Sequence, residues 1–454
     1  MRRLLLLITG LITVISCAKQ EVTLTVSTRK IEASQPAGSM EVSVVSDVSW
    51  MAVASEDWIN VTPAAETGSE KITISWSENL SGLARYGTVK VCTTDGSNLN
   101  VITINQAFYQ GPLAVLSLEL SNDIIFSKNV TLYMQKNIMQ GFDFTDDSHF
   151  YYSQGPSNTI FQFVSFCDGA SKQYSNYMTL ERFGHMTQIV AEKAADGKTY
   201  IWCNSNGQST PDGYGNNWSF SRIEYKAGET YTSGYAGDTF FLNKDNQYDT
   251  QVAIDFEARR LLVGSRKAGV SMRYFRVFDL DEVLALPLKT MECTVIIGSN
   301  GNITDDASTS RQEVRSVRAR DLNDARELGY FEIPPGRGES EVYYYAHQGH
   351  EIHGGQVWFY EGNATASGAT YNSAAYVTVF NYNGKVLYPR TAVKAIGKNS
   401  SLTEFGFSSI GYAEAESIKV KGDQLYLGFA CHNGSGAYRY AEILHYNLST
   451  GKSE

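Results

Sequence analysis

The sequence predicts an all-β chain, a small immunoglobulin-like β-sandwich followed by a β-propeller. Three observations predict it. Apolar and polar residues alternate at period two, as in Val22, Leu24 and Val26 or Leu425, Leu427 and Phe429, the pattern of half-buried strands. Turn residues such as Asp95-Gly96, Asp196-Gly197 and Gly422-Asp423 punctuate these runs. One form, a polar residue followed by an alternating strand, a turn and an aromatic or aliphatic strand, recurs five times after residue 139.

The first residues read as a targeting segment. Met1-Arg2-Arg3 is basic, and Leu4 to Ile15 is an apolar run too short to span a membrane. It ends in Val14-Ile15-Ser16-Cys17, which resembles a bacterial lipobox. The expectation is a signal peptide over 1–16, lipidation at Cys17, a tether over 17–20, and export to the outer membrane or cell surface. The membrane would then be reached through the Cys17 lipid alone. Loss of Arg2 and Arg3 leaves 36 basic against 48 acidic residues, which argues against a nucleic-acid partner. The cysteines beyond Cys17 are odd in number and widely spaced, with no CxxC, so neither a disulfide framework nor a zinc ribbon is expected.

Residues 21–108 form the sandwich. Val42 and Val44, Val89 and Val91, "KITISW" and "LNVITINQ" alternate, and no helical period interrupts them. The stretch "SDVSWMAVASEDWINVTPAAETGSEKITISWSENLSGLARYGTVKV", closing on Gln106, resembles a BACON domain, the Bacteroidetes-associated carbohydrate-binding module often found N-terminal. The matching marks are Trp50, Trp58-Ile59-Asn60-Val61, Pro63, Gly68, Asn79, Arg85, Gly87 and Gln106. The resemblance implies sugar binding, or a spacer for the next domain. Trp50 and Trp58 are large enough to fill a two-sheet core or to present a face to a sugar ring.

Residues 111–454 carry the five repeats, which begin at Gln140, Gln188, Gln251, Gln348 and Glu414-x-Glu416. Such units cannot bury both faces alone but can when stacked radially. Five blades are expected, although the gap between Val277 and His347 has room for a sixth. The polar residue opening each first strand should face the central channel: Gln140, Gln188, Gln251, Gln348 or His350, and Glu416. Glu414 and Glu416 point the same way on one strand. There they would stay solvated, hold a cation, or accept hydrogen bonds from the amides opposite. Fixing blade packing is the plain alternative.

The segments "QGFDF", "MTLERFGHMTQIVAEKAADGKTYIW", "QGHEIHGGQVWFYEGN" and "EAESIKVKGDQLYLGF" resemble the β-propeller of phage receptor-binding proteins, TagC-like proteins and helveticin J-type bacteriocins. The resemblance implies recognition of envelope glycans or glycopolymers rather than a defined reaction. That pattern has glycine after Glu-x-Glu, and here Ser417 takes its place.

His347, His350 and His353 are spaced three apart and could share a metal only from a loop, since such positions on a strand face opposite ways. His185, in Phe-Gly-His, is a candidate ligand contact. The "NKDNQYD" run at 243–249 lacks an EF-hand's glycine and final glutamate and reads as a solvated loop. Trp218, in a polar, glycine-rich loop, is the best candidate for stacking on a sugar. No nucleophile-elbow, zincin or Walker motif is present. The function expected is glycan or glycopolymer binding without catalysis and without a cofactor, apart from the cation that Glu414 and Glu416 could hold. A glycan-cleaving hydrolase or lyase at the channel is the alternative, and a structural or protein-binding envelope component the third.

Overall fold

The computed structural model describes residues 22–79, 84–107, 116, 118, 123–124, 132–134, 136–146, 149–155, 161–168, 173–181, 183–205, 219–232, 238–242, 247–267, 270–297, 311–367, 370–394, 396, 412–432 and 439–448. The chain divides into two compact units, Met1–Asn79 with Ala84–Phe108, and Leu80–Leu83 with Tyr109–Glu454.

The first unit is a sandwich of two sheets. One orders the strands Leu24–Val26, Gly38–Ser46, Glu70–Trp76 and Ile59–Thr62, and the other Lys30–Ala33, Leu99–Gln106, Arg85–Thr93, Ser49–Ala54 and Ala65–Thr67. Alternation dictates the packing. Val42 and Val44 from one sheet and Val89 and Val91 from the other lie in a common core around Trp50. Polar ties close its edge. Gln106 Nε2 donates to the carbonyls of Gln35 and Ser77, and its Oε1 accepts from Arg85 Nε at 2.8 Å.

The second unit is a propeller. Among the described residues it contains five sheets, each begun by one of the repeats. In blade 1, strands Gly141–Asp146, His149–Gln154, Phe161–Asp168 and Gln173–Glu181 lie in order, with Thr230–Thr232 parallel at the edge. Blade 2 begins Ile189–Lys193, Thr199–Ser205, Ser219–Glu224 and Asp238–Phe241. Blade 3 orders Gln247–Asp255, Arg260–Lys267, Val270–Asp279 and Glu327–Ile333, and blade 4 Ala346–His353, Gln356–Ser367, Thr370–Phe380 and Val386–Ala392. Blade 5 contains Ala413–Lys421, Gln424–His432 and Arg439–Asn447, completed by Asp123–Ile124 from the front of the unit. The first strands of the blades touch in cyclic order, 1 to 5 and back to 1.

The long gap after Val277 goes elsewhere. A short helix, Leu280–Ala285, is capped by Asp279, whose side chain accepts from the Asp281 and Glu282 amides. The strands Leu288–Ile297 and Arg311–Asp321 then extend blade 2, through parallel pairing of Phe240–Phe241 with Arg320–Asp321. The next strand, Glu327–Ile333, closes blade 3. No sixth sheet occurs in this gap among the described residues.

Cys92, Cys203 and Cys431 are free. No helix among the described residues is long and apolar enough to cross a membrane.

Candidate functional site

The blades meet through the residues that open their first strands. Gln188 is buried and spans three blades. Its Nε2 donates to the Val252 carbonyl at 2.8 Å and the His350 carbonyl at 2.6 Å, and its Oε1 accepts from the His350 amide at 3.2 Å. Gln251 Nε2 donates to Thr187 Oγ1 at 2.6 Å, while its buried Oε1 has no partner among the described residues. Gln140 is also buried, its amide donating to the Ser153 carbonyl. Close approach between first strands demands small residues. A Cβ on Gly141 would lie 3.1 Å from Gln188 Cα, and one on Gly349 would lie 3.1 Å from Ser417 Cα. These glutamines act in part as structural bridges.

A cavity of about 290 Å³ opens at this end of the channel. His185, Thr187, Gln251, His347 and Gln348 line it, together with Asp249, Arg266, Arg273, Tyr343 and Ala346. Asp249 comes from a bulge in the first strand of blade 3, between Tyr248 and Gln251. It is buried, which corrects the reading of 243–249 as a solvated loop; residues 243–246 lie outside the described residues. A single Asp249 oxygen, Oδ2, meets Arg266 Nε at 3.1 Å and Arg273 Nη1 at 3.2 Å. Backbone strain gathers here. Among the described residues five that are not glycine have positive φ; Asp249 and Tyr343 line this cavity, and the buried Met186 sits between its lining residues His185 and Thr187. Such conformations cost about 1–3 kcal/mol each and concentrate at functional sites.

The three histidines do not converge on one point. A bulge between His347 and Gly349 lets His347 Nε2 and His350 Nδ1 approach to 3.2 Å, whereas His353 Nδ1 lies 3.7 Å from Asp255 Oδ2. Burial pushes His350 down to about 3, with Arg273 adding to the effect. Burial, Arg273, His350 and Arg266 hold His347 far below its ordinary value. Both rings are neutral at pH 7. Phe275 meets His350 edge-on with centroids 5.1 Å apart, and Gly264 makes room for that ring, since a Cβ there would lie 2.4 Å from His350 Cε1.

Glu416 is buried rather than solvated. Burial, with Glu414 beside it, raises its pKa well above the ordinary value, and its Oε2 has no partner among the described residues. Glu414 is half-buried, accepts from Tyr412 Oη at 2.8 Å, and is also raised, by burial. Ser417 has φ +65° within a bulge between Ala415 and Ile418. This is the left-handed region where glycine is the natural residue, at the position where the resembled pattern has one.

A second charged cluster, not anticipated from the sequence, lies further along the same first strands. Lys419 Nζ is 3.0 Å from Glu351 Oε2 and 3.8 Å from Asp143 Oδ2, and Lys421 Nζ is 2.8 Å from Asp143 Oδ1. Asp143 Oδ2 also accepts the Ala191 amide at 2.8 Å. Burial pushes Glu351 up to about 7 against the pull of Lys419. Asp143 is held low: burial opposes ionisation, but Lys421 and Lys419 outweigh it.

The remaining candidates scatter. Trp50 is wholly buried, with Nε1 donating to the Gly68 carbonyl at 2.8 Å, so its ring fills the core and presents no face to a sugar. Trp58 is half-buried, with the Arg85 guanidinium 4.3 Å from its ring centroid. Gly87 accommodates it, since a Cβ there would lie 3.0 Å from Trp58 Cζ2. Trp218 and Cys17 lie outside the described residues.

Residues 15–107 match the family model described as the viral BACON domain. No curated protein matches the chain. Among solved structures, the chain is similar to a Bacteroides ovatus GH5 xyloglucanase in complex with a XXXG heptasaccharide, at 14% identity over 28% of each chain with a TM-score of 0.19. The chain thus spans little more than a quarter of that enzyme. It is also similar to the Dos1 propeller, at 10% identity over 93% of this chain and 92% of that one with a TM-score of 0.25. A quinonprotein alcohol dehydrogenase-like protein from Bacteroides thetaiotaomicron gives 8% identity, coverage of 81% and 94%, and a TM-score of 0.24.

Proposed function

We propose that this protein is an exported, Cys17-lipidated surface protein whose propeller head binds a glycan at the channel mouth. The observation that carries the reading is the mouth cavity. At about 290 Å³ it lies near the small end of the ~300–1,000 Å³ of ligand pockets, room for a terminal sugar rather than a long chain. Its walls offer hydrogen-bonding groups suited to hydroxyls in Thr187, Gln251 and Gln348, and an aromatic ring in Tyr343. The residues with positive φ on its rim support a binding role over plain packing. The BACON match at the front fits a protein that works on carbohydrate, as a second sugar module or as a spacer.

The mature chain should retain a subset of glycans on an array without releasing reducing ends. Tyr343→Ala and His185→Ala should each weaken retention about tenfold. Retention unchanged in both variants would move the site away from the mouth.

A second reading has one observation in its favour. Burial holds the Glu416 carboxyl well above the ordinary range beside the more accessible Glu414, and paired carboxyls of unequal environment are how glycosidases divide acid and base roles. Glu416 is buried and does not line the cavity, which favours binding. Sugar release that disappears in Glu416→Gln would reverse this order.

A further inference from the structure

We infer that the glycan site extends beyond the mouth cavity, with a second sugar stacked on the exposed ring of Tyr344. This inference rests on the glycan-binding reading and sets its ligand at two sugar units or more.

Three consecutive tyrosines stand at the edge of the cavity, and their surroundings differ. Tyr343 lines the cavity and packs edge-on against Phe359, with ring centroids 5.7 Å apart. Tyr345 stacks on Tyr376 at 5.8 Å. Tyr344, between them, is 41% exposed. Its one ring neighbour among the described residues is Tyr345, met edge-on at 5.0 Å. An edge-on contact covers at most one face of a ring. Other tyrosines of the propeller are capped by a guanidinium. Arg222 lies 3.5 Å from the Tyr200 centroid, Arg276 4.3 Å from Tyr330 and Arg390 3.4 Å from Tyr376. No such cap lies over Tyr344 among the described residues.

The backbone that carries Tyr344 is fixed on both sides. The Gly336 amide donates to the Tyr343 carbonyl at 3.0 Å. Gly336 also makes room for the segment, since a Cβ there would lie 3.0 Å from the Tyr344 nitrogen. The buried Glu361 carboxylate, paired with Arg390, faces the amides of Tyr343 and Tyr345. The left-handed φ of Tyr343, +63°, turns the chain between the ring that lines the cavity and the ring that is displayed. A ring held in this way gives up little freedom when a ligand stacks on it.

Chain connectivity places the ring beside the cavity. Tyr343 and Ala346, on either side of Tyr344 in sequence, both line it, so the Tyr344 Cα is about 3.8 Å from the first and within about 7 Å of the second. A cavity of about 290 Å³ holds one sugar, and a longer glycan has to leave it across the rim. There Tyr344 offers an aromatic face to the C–H face of the next pyranose, whose hydroxyls stay in water.

The test is calorimetric titration of the mature chain with four pairs of sugars: glucose and cellobiose, xylose and xylobiose, mannose and mannobiose, N-acetylglucosamine and diacetylchitobiose. At least one disaccharide should bind about fivefold or more tightly than its monosaccharide. Tyr344→Ala should remove that advantage while leaving monosaccharide binding within about twofold. Tyr344→Phe should keep the advantage, because the ring rather than the hydroxyl makes the contact. Tyr343→Ala should weaken both members of the pair. Equal binding within every pair, an advantage intact in Tyr344→Ala, or an advantage lost in Tyr344→Phe overturns the inference. Monosaccharide binding that is lost in Tyr343→Ala, without any disaccharide advantage, preserves the binding reading while this inference fails. No binding of any of these sugars ends both.

Discussion

Two groups of partly buried charge lie among the blades, one beside the cavity and one further along the first strands, and they are composed differently. The second cluster sets Lys419 and Lys421 against Asp143 and Glu351, two cations to two carboxyls, with the Ala191 amide as a further donor. The mouth sets Arg266 and Arg273 on one shared oxygen of Asp249. The second set ties blades 1, 2, 4 and 5 together. The difference teaches that charged residues of the propeller can serve blade packing, as Lys419 does between Glu351 and Asp143, or line a cavity, as Arg266 and Arg273 do.

The comparison breaks most sharply at Lys419. Lys419→Met would leave Asp143 and Glu351 buried with less opposing charge, a change expected to remove about 3–5 kcal/mol of stability. Arg273→Met should cost far less, about 1 kcal/mol, because Asp249 keeps Arg266. Urea unfolding of both variants measures the contrast, and equal losses would show that the two clusters are built alike.

pH separates the clusters next. Glu351 at about 7 and Glu416 well above its ordinary value keep protons in the folded state that the unfolded chain has already released. Their stabilisation is complete below about 4.5 and disappears as pH rises through 7 and beyond, so the slope of stability with pH is negative there. The melting temperature of the propeller should therefore fall between pH 5 and pH 8, by the equivalent of about 1–3 kcal/mol. Glu416→Gln, which mimics the protonated acid, should flatten part of that slope. A flat wild-type profile would mean that these carboxyls titrate normally.

Gly264→Ala is the next largest effect. Its methyl group would displace the His350 ring, at about 1–3 kcal/mol, with weakened glycan retention because His350 adjoins His347 at the mouth. The smallest change should be favourable. Ser417→Gly relieves a left-handed serine whose buried Oγ has no partner among the described residues, a gain of up to about 1 kcal/mol in thermal unfolding.

Much of this architecture was legible in the sequence because a propeller repeats a local pattern. Gln140, Gln188 and Gln251 each precede or open an alternating run, and each lies in or just before a first strand. Lys419 and Asp143 were harder to read. Alternation with Ile418 and Val420, or with Phe142 and Phe144, resembles a strand with one wet face. First strands of a propeller are enclosed on both sides, so the polar face is buried as well. Arg266, Arg273 and Tyr343 were not legible because they come from later strands and a loop, outside the polar openings of the first strands that repeat in the sequence. The signal was present in "SRKAGVSMR", a hairpin that sets two arginines opposite each other with no acid nearby in sequence. Trp50 was ambiguous because a tryptophan large enough to fill a core is also large enough to stack on a sugar.

The central claim is that the propeller mouth, rather than the tryptophans of the sandwich, is where ligand binds. The most direct measurement is a crystal structure of the mature chain with the glycan most strongly retained on the array. The account predicts a terminal sugar in the mouth cavity, hydrogen-bonded to Gln251 or Gln348 and resting against Tyr343. A sugar stacked on Trp58, with the mouth holding only water, would contradict it.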